Sequence, residues 1–349
     1  MRRSGRARAG SLAVLVVWLL LFGTAGSAAA SDRQIGIVRN GVAFSLRAYG
    51  GAVVWLDDGL GHSGYRVWQG GRGRALPIDP SPGVLGLVDL GPAGHGGLVA
   101  IYERCQGSDE SGFYGCDIYR YAFRTHCITP VPGAVTPDVE ERSPSTWRGH
   151  DAFVRGDYLY KAKPSGILIR SPLVRLAPLW PGVSYYGGDT GTDLKRNVIT
   201  WEESGDDGEH NGIEVKRFDW RGRGRRCEVA TGRFSRSSTA AVLTSVGDPQ
   251  LDGRYVYWSQ VDYLTPRRGS PPTVTASVRR RRLPTKNCER RGAVEQALVR
   301  THQYSISDYW QRFAVSDGRL FYVLNYVHHS GNAAIYEARH VSFRPVHGR

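Results

Sequence analysis

The sequence predicts an all-β fold built from repeated antiparallel sheets. A short run of β-branched and aromatic residues, led by a glycine or a polar turn, recurs six times. A second strand-like run follows each copy, and no stretch of about fifteen residues carries the apolar stripe of a helix. The copies are Gly51-Ala52-Val53-Val54-Trp55, Gly97-Leu98-Val99-Ala100-Ile101-Tyr102, Gly156-Asp157-Tyr158-Leu159-Tyr160, Asn197-Val198-Ile199-Thr200-Trp201, Gly253-Arg254-Tyr255-Val256-Tyr257-Trp258 and Gly318-Arg319-Leu320-Phe321-Tyr322-Val323. Glycine and asparagine tolerate positive φ, so each copy reads as a strand entered through a tight turn.

The spacings are 46, 59, 41, 56 and 65 residues, as expected when loops of different length separate equivalent units. The following runs are Tyr65 to Trp68, Asp117 to Phe123, Ile167 to Arg170, Ile213 to Trp220, Val274 to Leu283 and Ala334 to Phe343. Ile118-Tyr119-Arg120-Tyr121-Ala122-Phe123-Arg124 alternates apolar with polar residues, the pattern of a sheet with one wet face. Gly292 to Val299 has room for one or two helical turns. Six strand pairs with flanking strands fit a six-bladed β-propeller of four-stranded antiparallel blades, with the glycine-led runs as its inner strands. The alternative is two β-sandwich domains joined at the Pro-rich stretch Pro172 to Pro181.

Leu251-Asp252-Gly253-Arg254-Tyr255-Val256-Tyr257-Trp258 and Ser316-Asp317-Gly318-Arg319-Leu320-Phe321-Tyr322 resemble the Asp-Gly turn and following strand of the TolB-like, WD40-like propeller repeats. The other four copies lack the Asp-Gly pair. The resemblance implies a propeller over most of the chain. It implies no Tol role, because TolB carries a separate α/β domain in front of its propeller and here strand-like sequence begins by Val42.

Residues 1–30 read as a secretory signal peptide: Arg2, Arg3, Arg6 and Arg8 precede an apolar run from Leu12 to Phe22, and small residues end at Ala28-Ala29-Ala30. The apolar run is shorter than the roughly twenty residues that span a bilayer, so no integral membrane segment is expected after cleavage. Residues 31–349 are then one propeller domain, expected as a monomer in an extracytoplasmic space, either periplasm or cell wall. The formal charge is +14, and removal of four arginines leaves the chain basic. An exported basic protein seldom meets nucleic acid, so the expected partner is a protein or an anionic envelope polymer. Of five cysteines, Cys105 and Cys116 bracket a polar loop between two strand-like runs and are the disulfide candidates; the pairing of Cys127, Cys227 and Cys288 stays open.

Catalytic constellations are not evident. Gly61-His62-Ser63-Gly64 is followed by Tyr65, so the nucleophile-elbow spacing fails, and these residues read as a hairpin loop. His328 and His329 are adjacent, so on a strand they face opposite sides and would not share a metal. Glu202 to Glu209 is an acidic loop without the ligand order of a calcium site. No metal or cofactor is therefore expected. Two basic clusters stand out: Arg221, Arg223, Arg225 and Arg226, close to Phe218 and Trp220, and Arg279, Arg280, Arg281 and Arg282. Falling late in consecutive repeats, they are expected to form one basic binding patch. The loops Gln106 to Gly115, Ser259 to Pro272 and Tyr326 to Asn332 are further candidates for contact with a partner.

The expected function is a noncatalytic secreted module binding a protein, a glycan or an envelope component. The alternative is a carbohydrate- or lactone-active enzyme with its site at the mouth of the ring. Paired carboxylates on the axis would favour the enzyme, and a channel of small and apolar residues would favour the module.

Overall fold

Turns carrying glycine or asparagine fix the first hairpin of each blade, and the rest of the architecture follows from where those hairpins lie. The computed structural model describes residues 32–346 except 60–61, 79–82, 110–111, 136–138, 157–165, 170–173, 179–190, 205–210, 220, 237–239, 267–271, 290, 304–311 and 327–330; the signal-peptide reading of residues 1–30 lies outside them. Every regular element among the described residues is a strand.

Strand β1 (Arg33–Val38) precedes the first blade, which comprises β2 (Gly41–Tyr49), β3 (Ala52–Gly59), β4 (His62–Gln69) and β5 (Arg72–Ala75). The second contains β6 (Val84–Pro92) and β7 (Leu98–Cys105). After a small hairpin of β8 (Gly107–Asp109) and β9 (Gly112–Tyr114), it is completed by β10 (Asp117–Ala122) and β11 (Cys127–Pro130). The third comprises β12 (Glu140–Trp147), β13 (His150–Gly156), β14 (Gly166–Ile169) and β15 (Val174–Pro178); the fourth comprises β16 (Thr192–Lys195), β17 (Val198–Ser204), β18 (Asn211–Arg217) and β19 (Arg226–Thr231). A larger sheet follows, with β20 (Arg233–Arg236), β21 (Ala240–Asp252), β22 (Tyr255–Pro266), β23 (Thr273–Arg282) and β24 (Arg291–Gln303). The last blade has β25 (Phe313–Ser316), β26 (Arg319–Tyr326) and β27 (Asn332–Ala338), and β28 (Arg344–Pro345) returns to the outer edge of the larger sheet.

All pairings within these sheets are antiparallel, and β2, β6, β12, β16, β21 and β25 contact one another in a closed cycle. This is a propeller arrangement, and β1 closes it by pairing with β27 from Arg33↔Glu337 to Val38↔Ala333. The outer strand of the last blade thus comes from the other end of the chain. Asp32 adds a link there, its Oδ2 accepting the Tyr322 hydroxyl at 2.6 Å.

Three expectations need correction. First, the structure has five four-stranded blades rather than six; the repeat at Gly253 belongs to a sheet of six strands. There β21 to β24 outgrow the other blades, β20 joins the extended part of β21, and β28 joins β24. The expected loop from Ser259 is therefore strand as far as Pro266, and Gly292 to Val299 lies in β24 rather than in a helical turn. Second, the glycine-led runs are the second strands of their sheets. The turn that introduces each run joins it to the strand nearest the axis, and the run is apolar because neighbouring sheets cover both its faces. Third, the turn of the third unit is Arg148-Gly149, with φ of 50° and 83°, so β13 is the equivalent strand. Gly156 ends that strand, and Asp157 to Tyr160 lie outside the described residues.

The core consists of separate layers between neighbouring sheets. Alternate residues of β3 show how one strand serves two of them: Val54 and Leu56 pack with Leu90 and Tyr102 of the second blade, while Val53 and Trp55 pack with Phe321 and Ile335 of the last. In β22, Val256 and Trp258 meet Val215 and Val229 of the fourth blade, and Tyr257 meets Phe313 and Tyr322 of the last.

Candidate functional site

The innermost strands are sheet edges, so their backbone groups facing the axis need partners that the sheet does not supply. Side chains from neighbouring blades meet that need. Ser45 Oγ accepts from Val88 N (2.8 Å), Asp89 Oδ2 from Thr146 N (2.9 Å), Asp193 Oδ2 from Leu251 N, Gln250 Oε1 from Val315 N (3.0 Å) and Ser316 Oγ from Gly50 N (3.1 Å). Between the third and fourth blades the direction reverses, with Thr192 Oγ1 donating to the Ser143 carbonyl and Ser145 Oγ lying 3.0 Å from that hydroxyl. A side-chain bond thus crosses every junction of the cycle. Bulges in β2, β6, β12 and β21 shift the register beside these bonds, and Ser45, Ser143 and Asp248 take φ near 50° there.

Charge gathers on the axis. Arg47 Nη1 lies 2.7 Å from Asp248 Oδ1, both side chains being buried, and Arg47 lines a cavity of about 20 Å³ with Asp89, Asp193 and Gln250. Burial raises the Asp89 carboxyl to about 8; Asp193 pushes the same way, against Arg47 and the Thr146 and Leu90 N–H groups. Burial also raises Asp193, to about 6, offset by the Leu251 N–H, Lys195 and Arg47. Tyr49 and Trp147 meet edge to face at 5.7 Å beside the cavity, and Lys195 bonds Asp252 at 2.8 Å while lying over Trp147. These charged axial groups went unnoticed in the sequence because each blade supplies only one or two of them.

The expected site residues divide differently. Arg221, Arg223 and Arg225 are exposed on the turn between β18 and β19, and Asp219 shapes that turn by accepting from Arg221 N (3.0 Å) and Arg223 N (2.9 Å). The backbone bond from Arg223 is the largest cause holding the Asp219 carboxyl below its ordinary range. Arg226 is tied to Glu203 and Glu214 and lies over Trp201, while Phe218 is core. Trp220 lies outside the described residues.

Strand alternation splits the second cluster between two faces. Arg280 pairs with Glu295 at 2.6 Å and lies over Tyr255 and Phe343, whereas Arg279 and Arg281 line a groove toward the fourth blade with Trp258. Arg282 is exposed. A disulfide joins Cys227 to Cys288, tying the turn that bears Arg221, Arg223 and Arg225 to the turn after Arg282. The expected Cys105–Cys116 bridge is present, and Cys127 is free and exposed.

The remaining candidates take structural places. His62 and Ser63 start β4, opposite Gly59 and Asp58. Glu202 and Glu203 lie in β17 rather than a loop: Glu202 Oε2 accepts from Asp248 N, and Glu203 binds Arg226. Residues 205–210 of that acidic run, and His328 and His329, lie outside the described residues. Glu103, Cys105 and Cys116 come within ligating distance of one another, but the two thiols are spent in the disulfide.

No family model matches the chain, and no curated protein matches it. Among solved structures it is similar to one from a study of two prolyl endopeptidases, with 10% identity, TM-score 0.40 and coverage of 84% of this chain and 54% of that one. The chain thus spans about half that protein's length. It is also similar to an exo-1,5-alpha-L-arabinanase from a bovine ruminal metagenomic library, with 11% identity, TM-score 0.36 and coverage of 88% and 93%. A third likeness is to the AtxE2 isopeptidase in its apo form, with 11% identity, TM-score 0.21 and coverage of 68% and 45%.

Proposed function

We propose that the chain is an exported, noncatalytic propeller that holds an anionic component of the cell envelope against its disulfide-tethered basic face. The single observation behind this reading is the exposure of Arg221, Arg223, Arg225 and Arg282 on segments that Cys227–Cys288 ties together. Cations held near one another on a rigid scaffold raise the local concentration of a polyanion. Export rests on the arginine-led apolar amino terminus and on two disulfides, which persist in oxidising compartments. The test is retention on heparin or polyphosphate. The triple variant Arg221→Ser/Arg223→Ser/Arg225→Ser is expected to elute at markedly lower salt, and elution with the wild type would overturn the proposal.

The axial acids favour a second reading, an enzyme acting on glycans or lactones with Asp89 and Asp193 as an acid and base of unequal strength. Against it, both carboxylates accept backbone N–H bonds, and about 20 Å³ is close to the room one water needs. Turnover on a glycan and lactone panel that disappears in Asp89→Asn and in Asp193→Asn would establish the enzyme; no turnover by the wild type would remove it.

A further inference from the structure

A second cavity, of about 250 Å³, opens between β19 of the fourth blade and the six-stranded sheet. Arg279 and Arg281 project into its lining from the same face of β23, opposite Trp258 and Val256 of β22, and Arg233 stands at its side, exposed. Gln260 also lines it, bonded through Nε2 to Asp262. The groove is thus lined by three guanidinium groups. A nearby carboxylate, Asp262, already receives the Thr244 hydroxyl as well as Gln260 and lies 3.4 Å from Arg279, and Arg281 Nε donates to the Gly292 carbonyl at 3.4 Å.

Trp258 is 1% exposed, and its indole Nε1–H is buried without an acceptor, as is that of Trp55. A buried donor of this kind ordinarily finds a partner. Desolvation lowers the Arg279 pKa despite Asp262, which marks a cation only partly compensated by its surroundings. Liquid water occupies about 30 Å³ per molecule, so the cavity has the volume of about eight waters and admits an oxyanion with a short organic body.

We propose that this groove is a binding site for a single oxyanion group, phosphate, sulfate or carboxylate, held by Arg279 and Arg281 with the Trp258 indole N–H beneath it. The choice of an anion rests on the proposed function, but the residues differ from those offered for the polymer. Arg233 would meet the part of the ligand that projects outward.

The purified protein is titrated with inorganic phosphate, sulfate and glucuronate, with glucose as the neutral control. Affinity is read by calorimetry and the Trp258 indole resonance by ¹H–¹⁵N spectra, assigned from its loss in Trp258→Phe. At least one anion is expected to saturate and to move that resonance, while glucose does neither. Arg279→Gln and Arg281→Gln are each expected to weaken binding tenfold or more, and Arg72→Gln, exposed on β5 of the first blade, to leave it unchanged. Should Arg279→Gln fail to fold, Arg281→Gln and the wild-type titration decide alone.

The site is overturned if no anion saturates, if the indole resonance stays still, or if Arg72→Gln weakens binding as much as Arg281→Gln. The Arg221/Arg223/Arg225 triple variant separates the two proposals. Lost heparin retention with intact small-anion binding supports both, and wild-type heparin retention with intact small-anion binding overturns the polymer face alone.

Discussion

Arg47 and Asp248 stand 201 residues apart in the chain, yet their side chains meet at 2.7 Å where the first blade faces the six-stranded sheet. The pair sits inside the ring, shielded from water, so neither charge has a solvent alternative. Removing one partner of such a pair usually costs about 3–5 kcal/mol, because the other stays buried and uncompensated. Arg47→Leu is expected to lose stability on that scale by urea unfolding. Arg47→Leu/Asp248→Asn is expected to recover part of it, Asn tolerating the positive φ at 248.

The axial acids set a pH dependence. Asp89 titrates at about 8 in the folded chain and near 4 when unfolded, and Asp193 is raised to about 6, so the folded state binds their protons more tightly. Stability from this source is full below about pH 4 and is lost as pH rises, through about 6 for Asp193 and about 8 for Asp89. The urea midpoint is expected to fall between pH 5 and pH 8.5. Asp89→Asn, which keeps an acceptor for Thr146 N, is expected to flatten that fall; an unchanged slope in the variant would remove Asp89 as its origin.

Breaking the Cys227–Cys288 bridge has two readouts. Its 61-residue separation implies a loss of about 4 kcal/mol on chain-entropy grounds when both cysteines become serine. Freed from their tether, the turn bearing Arg221, Arg223 and Arg225 and the strand end at Arg282 are also expected to hold heparin less well, even where the protein remains folded.

Thiol chemistry on the native protein is expected to find one reactive cysteine, Cys127, since the other four are paired. Ellman titration should return one equivalent for the wild type and none for Cys127→Ser.

Removing residues 32–38 takes away the strand that completes the last blade and exposes β27 as an edge. The truncated chain is expected to melt at lower temperature and with less cooperativity. A peptide of the missing segment should restore part of the loss when added.

Local sequence showed the apolar second strands plainly, because a strand covered on both faces must be rich in Val, Ile, Tyr and Trp. Cys105–Cys116 was legible for a similar reason, lying at the two ends of a hairpin loop. The innermost strands were harder to see, since they mix small, polar and charged residues and carry bulges that break the alternation. A signal was nevertheless present: Arg47, Ser145, Asp193 and Gln250 each stand three positions before a two-residue turn. The third repeat was misplaced because polar His150 and Asp151 follow its Gly149 before the apolar Ala152-Phe153-Val154 begins. The basic run Arg279 to Arg282 looked like one patch, but consecutive strand residues point to opposite faces, and composition carries no sign of which neighbour each will meet.

The pairing of β1 with β27 also sets a schedule for biogenesis. Residues 33–38 have no register to adopt until residues 333–337 have followed nearly three hundred residues later. The circle can be fastened only once residues 333–337 have been made. A nascent chain therefore stays open at this seam until those residues emerge, the condition a polypeptide must keep if it is to be threaded unfolded through a translocation pore.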